Sequence, residues 1–132
     1  MLSPDPGNVP SRALSAHSEV LLWAVFIVCA TVTQLVFKWA GSELGDQDFG
    51  LAFALAAVAK PAVWAAIAGY IAMFVMWIAI LKRVPLSRAY LITAVIYVPV
   101  TLGAWLIFGE QISALRGCGI ALIMLGVVLI AS

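Results

Sequence analysis

Charge is what this sequence has least of. Seven Lys and Arg, six Asp and Glu and one His make up its ionisable side chains of those types in 132 residues, 10% fixed charge with a net of +1. Soluble domains average about 25%. Without a basic stripe the chain has no means of neutralising phosphates along a nucleic acid, which excludes that class of partner. Cysteine is scarce too: Cys29 and Cys118 both sit inside apolar runs, show no metal-ligand spacing and read as small packing residues rather than a disulfide. There is no Ser-His-Asp set, no pair of intramembrane carboxylates, no His-x-Glu cluster and no glycine loop that would cradle a phosphate. Neither an enzyme nor a resident metal or cofactor is expected.

What fills the chain instead is apolar, 65% of residues, with a mean hydropathy of +1.15. A domain this short cannot hide that much apolar surface from water, so its solvent must itself be apolar. A bilayer core about 30 Å thick takes about 20 helical residues at 1.5 Å each. The charge-free runs at 20–37, 61–81, 89–109 and 117–132 have that length, the last extendable upstream to residue 112. The expected fold is therefore all-α, an integral membrane protein with four transmembrane helices at about 18–40, 61–81, 87–109 and 112–131. Residues 1–17, rich in Pro, Ser and Gly, are expected to be a disordered tail, and 18–132 the membrane domain. The first span follows no basic cluster and precedes no convincing cleavage site, so it reads as a retained helix rather than a signal peptide. A further run at 49–59 is too short to span and is cut off by Lys60-Pro61. It reads as an interfacial segment or an early extension of the second helix.

Orientation is nearly undetermined. Arg12, Lys82, Arg83 and Arg88 fall on one side and Lys38, Lys60 and Arg116 on the other, a mild preference for both termini in the cytoplasm. Such a balance also suits an inverted-repeat assembly.

Polar residues inside the spans are the candidates for function, because an unpaired polar group in hydrocarbon is costly and so faces protein or a wet cavity. Thr31, Gln34 and Lys38 share one face of the first span, although Lys38 lies near enough to its end to snorkel and Gln34 could serve only helix packing. The second span reads as scaffold: Ala66, Gly69 and Ala72 form a small-residue strip for close approach, and Tyr70 is its one polar handle. The basic turn Lys82-Arg83-Val84-Pro85 reads as a topology anchor or as part of a lipid-phosphate site. In the third span Arg88, Tyr90, Thr93, Tyr97 and Thr101 recur, with Arg88, Tyr97 and Thr101 on one stripe, and Pro99 predicts a mid-span kink. Gly119 and Gly126 are seven residues apart on one face of the last span, a spacing that suits a dimer interface or a contact within the monomer.

Several of these segments resemble the four-helix branch of the drug/metabolite transporter superfamily. They are TQLVFK at 33–38, VPLSRAY at 84–90 and the Gly-Glu turn with its glycine-containing last helix at 109–132. The resemblance runs from about Val20 to the end. Within that branch it is similar to the aminoarabinose-lipid flippase subunits, through Gln34-Leu35-x-x-Lys38, Val84-Pro85 followed by Ala89-Tyr90, Val98-x-Val100-Thr101-Leu102 and Cys118-Gly119. The small multidrug resistance exporters share the layout but use a glutamate in mid-helix, and the matching position here is Ala30. Without that acid there is nothing to exchange a cationic drug for protons.

The resemblance implies a multi-pass protein of the cytoplasmic (inner) membrane that flips a polyprenyl-phosphate-linked sugar, as a homodimer or a heterodimer with a similar four-helix subunit. Lys38 and Arg88 are then expected to offset the phosphate charge, and Gln34, Tyr90, Tyr97 and Glu110 to contact sugar hydroxyls or an amine. The competing readings are an exporter of small cationic solutes and a non-transporting subunit that anchors a glycosyltransferase.

Overall fold

The computed structural model describes the backbone of residues 9–132 and the side chains of residues 16–132. Among the described residues it is helical throughout, with no strand. The elements are α1 (Val9–Leu44), α2 (Leu51–Ala59), α3 (Pro61–Leu81), α4 (Leu86–Ile92), a 3-10 turn (Thr93–Ile96), α5 (Tyr97–Phe108) and α6 (Ala114–Ala131). Four stretches are long and apolar enough to cross a bilayer: Ala16–Leu44, Pro61–Leu81, Leu86–Phe108 and Ala114–Ala131. The protein is an all-α, multi-pass membrane protein. Of the tail expected over 1–17, residues 1–8 lie outside the described part, and from Val9 onward the chain is already helix.

Helix ends follow local rules. Lys60 is extended (φ −93°, ψ 123°) because the residue before a proline is pushed out of the helical region, and Pro61 then opens α3 at its first turn. The run at 49–59 is thus a separate nine-residue helix rather than an extension of the second span, held to α3 by the Trp64 indole N–H donating to the Val58 carbonyl at 2.9 Å. Ser113 caps α6, its hydroxyl accepting from the Arg116 backbone N–H at 3.3 Å. The basic turn after α3 is tied to α1 by the Arg83 guanidinium, which donates to the Ser18 hydroxyl at 3.2 Å.

Lipid is as apolar as leucine, so helices in it associate through close packing rather than hydrophobic exclusion. The α1–α3 seam shows this. Ala30, Thr33, Ala40, Ala62 and Ala66 are buried along it, and a Cβ added to Gly69 would lie 2.3 Å from the Thr33 hydroxyl. Of the small-residue strip of the second span, Ala66 and Gly69 serve close approach, whereas Ala72 is exposed. Gly103 of α5 plays the same part against Leu35, 2.7 Å from where its Cβ would be. Phe26, Ile80 and Ala89 form the buried centre, with the Phe26 ring stacked on Trp77 at 5.6 Å.

The third span is not one continuous α-helix. The 3-10 turn at Thr93–Ile96 interrupts it just ahead of Pro99, which has no N–H to give the Val95 carbonyl one turn back. Last in order, α6 packs on α4 and the turn and has no buried residue.

Candidate functional site

The polar residues of the spans fall into three places along the membrane normal. At one end, Lys38 near the close of the first span forms an ion pair with Glu110, two residues beyond α5, and the Lys38 ammonium also lies over the Phe108 ring, 5.1 Å from its centroid. Gly109 makes this geometry. Its left-handed conformation (φ 65°, ψ 24°) ends α5 and turns the chain so that Glu110 comes back beside the helix end. Glu110 also lines a hollow of about 360 Å³ on its other side, shared with Thr101, Gln111, Arg116 and Gly119. The two side chains of the pair remain 44% and 38% exposed.

One helical turn before Lys38, the Gln34 amide donates to the Tyr70 hydroxyl at 3.3 Å, and the Tyr70 ring stands edge-on to Phe37. Gln34 and Tyr70 head a groove of about 470 Å³ between α1, α3 and the interrupted third span, which continues past Thr93 to Tyr90. Tyr90 closes it by an edge contact with Trp77, and its own carbonyl accepts from the Thr93 hydroxyl. From the level of Gln34 to that of Phe26, eight residues along α1, the groove runs about 12 Å. Tyr70, read from sequence as the handle on a scaffold helix, thus lines the groove beside Gln34. Its signal was its being the lone hydroxyl of an otherwise apolar span.

At the far end stands Arg88, exposed, beside a hollow of about 390 Å³ lined also by Ser87, Leu91 and Ile130. It begins the span whose far end, Phe108, lies 20 residues on and carries Glu110 back beside it, so Lys38 and Arg88 are separated by about 30 Å. The expectation that both offset one phosphate charge is corrected accordingly: they belong to opposite faces of the membrane.

The expected stripe of Arg88, Tyr97 and Thr101 is not a stripe. At 100° per residue the nine residues from Arg88 already carry Tyr97 about 180° round the helix, and the four residues of 3-10 turn at 120° each change that by about 80° without bringing the two together. Tyr97 does not line the groove and is 60% exposed, while Thr101 lines the Glu110 hollow. Ala30, where the exporters have their glutamate, is 1% exposed in the α1–α3 seam. Around Gly126 a Cβ would meet nothing within 4 Å, and likewise around Gly119, so neither glycine serves close packing inside the chain.

The chain is 32% identical over 120 residues to the probable 4-amino-4-deoxy-L-arabinose-phosphoundecaprenol flippase subunit ArnF of Pseudomonas fluorescens, covering 89% of this chain and 90% of that protein. It belongs to the ArnF family. The protein of the same name from Proteus mirabilis is 35% identical over 119 residues, 83% of this chain and 90% of its own length. A shorter match, 36% over 61 residues, joins the ArnF-family chain to the probable flippase subunit ArnE of Salmonella paratyphi B, covering 46% of this chain and 55% of that one. No protein-family model matches this ArnF-family member, and no solved structure does.

Proposed function

We propose that this chain is a subunit of a flippase that carries a polyprenyl-phosphate-linked amino sugar between the leaflets of the cytoplasmic membrane, for modification of the cell envelope. One observation carries the reading beyond the names of its relatives. A cation stands at each face of the membrane, Lys38 and Arg88, and a groove bearing Gln34, Tyr70, Thr93 and Tyr90 runs between their levels. An anionic head group crossing hydrocarbon needs a cation where it enters and another where it leaves, with hydrogen-bonding side chains between. Lys38 and Arg88 act in turn on the phosphate, and Gln34 and Tyr90 contact sugar hydroxyls. Tyr97, which does not line the groove, has no place on this path. The long isoprenoid tail stays in the bilayer, so the groove must open sideways to lipid.

A protomer with so few buried residues is half of a path, and the second half comes from a companion four-helix subunit whose contact surface includes Gly119 and Gly126 on α6. An exporter of cationic solutes would need an acid within the spans. Glu19 and Glu43 of the first span lie close to its two ends rather than at mid-membrane, and Glu110 lies beyond the end of α5 and is engaged by Lys38.

The test is translocation in vesicles containing the full chain and its companion subunit, read by the accessibility of a labelled polyprenyl-phosphate amino sugar to an impermeant reagent. Gln34→Ala and Tyr90→Ala should each slow it roughly three- to tenfold, the effect of a lost polar contact in a membrane protein. Leu55→Ala on α2 should leave it unchanged. If Lys38→Ala and Arg88→Ala both translocate at the wild-type rate, the two-cation path is wrong.

A further inference from the structure

The Lys38–Glu110 pair has a property that the path alone does not require. A lysine would serve a phosphate best unpaired, yet here it is held against a carboxylate at the mouth of a hollow, with both tips substantially exposed. So exposed a pair contributes little to stability and opens readily. Opening does not abandon the ammonium, since the Phe108 ring beneath it remains as a partner. It does abandon Glu110 unless the incoming molecule brings a positive charge of its own.

Resting on the reading of the chain as a flippase for a lipid-linked amino sugar, we infer that Lys38 and Glu110 form an exchangeable pair that selects zwitterionic head groups. A phosphodiester anion takes Lys38 from Glu110, and the protonated amine at the far side of the sugar takes Glu110 from Lys38. One ion pair inside the protein becomes two between protein and substrate. A lipid whose sugar lacks a charged amine replaces one pair with one and strands the carboxylate, a penalty that discriminates more strongly than a missing attraction. The hollow behind Glu110, with Thr101 and Gln111 on its wall, receives the sugar ring. Gly109 sets the carboxylate at its edge. Arg116 lines the same hollow and is the one other charged group there, so the inference requires that the substrate amine, and not Arg116, takes over Glu110.

The experiment uses the same vesicles with two probes, a polyprenyl-phosphate amino sugar with its amine free and the identical lipid with the amine acetylated. The wild type should move the free amine about tenfold faster. Glu110→Gln and Glu110→Ala, read together so that a folding defect in one does not decide, should bring the ratio close to one. Glu110→Asp should restore the preference, and Lys38→Gln should slow both lipids while leaving their ratio. If the neutral Glu110 variants keep the wild-type ratio, or the wild type moves both lipids alike, the selection mechanism is overturned while the flippase reading stands. A wild type that moves neither lipid overturns both.

Discussion

Gly109 shows how much of the site depends on a residue that cannot touch a substrate through a side chain. A Cβ there would meet nothing within 4 Å, so space is not the constraint. The constraint is φ at +65°, which costs an L-residue about 1–2 kcal/mol. Gly109→Ala should therefore lower the stability of the detergent-purified protein by about 1 kcal/mol in thermal unfolding and loosen Glu110 from Lys38. Gly126→Ala, with equal space and no positive φ, should leave the melting temperature of the chain where it is. Of the site itself, the sequence showed which residues are out of place in hydrocarbon but not which meet. Lys38 was expected to meet a phosphate or snorkel and Glu110 to contact the sugar or its amine, but no periodicity links residues on different helices, so their meeting each other was not legible. Gln34 and Tyr70 were singled out separately for the same reason. The separation of Lys38 from Arg88 was legible all along, since the first and third spans run in the same direction and the two residues sit at opposite ends of them.

At the scale of the element, a composition dominated by apolar runs made four helices readable to within a few residues of their ends, because length against bilayer thickness is a strong constraint. What it could not supply was phase. The four-residue 3-10 turn ahead of Pro99 turns α5 relative to α4 by about 80°, so Tyr97, seven residues on and in phase with Tyr90 at a single period, does not join it in lining the groove. Seams between elements were partly legible: Gly69 was expected to permit close approach and does so, whereas Gly103 carried no pattern to mark it. The α1–α3 seam can be tested directly. Gly69→Ala brings a methyl to 2.3 Å from the Thr33 hydroxyl and 2.9 Å from its Cγ2, with no room for either helix to yield without parting from the other. Overpacking of this kind costs about 1–3 kcal/mol. Thr33→Ala removes both of those atoms and leaves only the Cβ, 3.1 Å away, so the double variant should recover part of the loss. Unfolding in detergent of the two single variants and the double measures the coupling, and simple additivity would contradict the packing described here.

The whole molecule looks unfinished in a way that its charge already suggested. Thirteen fixed charges on 132 residues suffice to mark the ends of four spans, yet only eight of the described residues are buried. Leu115, Leu122, Leu125, Val128 and Leu129 on α6 are all more than half exposed, and the helix leans mainly on α4 and the turn beside it. Lipid can cover such a face, but lipid gains nothing from Gly119 and Gly126, whose absent side chains matter only where another backbone comes near. Gly126 is the cleaner probe of the two, because Gly119 also borders the Glu110 hollow. Gly126→Leu should leave the protomer's own fold intact while weakening its co-purification with the companion subunit about tenfold, and translocation should fall with assembly. The exposed thiol of Cys118, one residue from Gly119, reports who the companion is. Mild oxidation that joins two copies through Cys118 identifies a homodimer packed along α6. A Gly126→Leu protein that assembles and translocates like the wild type would remove α6 from the interface and leave the groove to be closed from the side of α2.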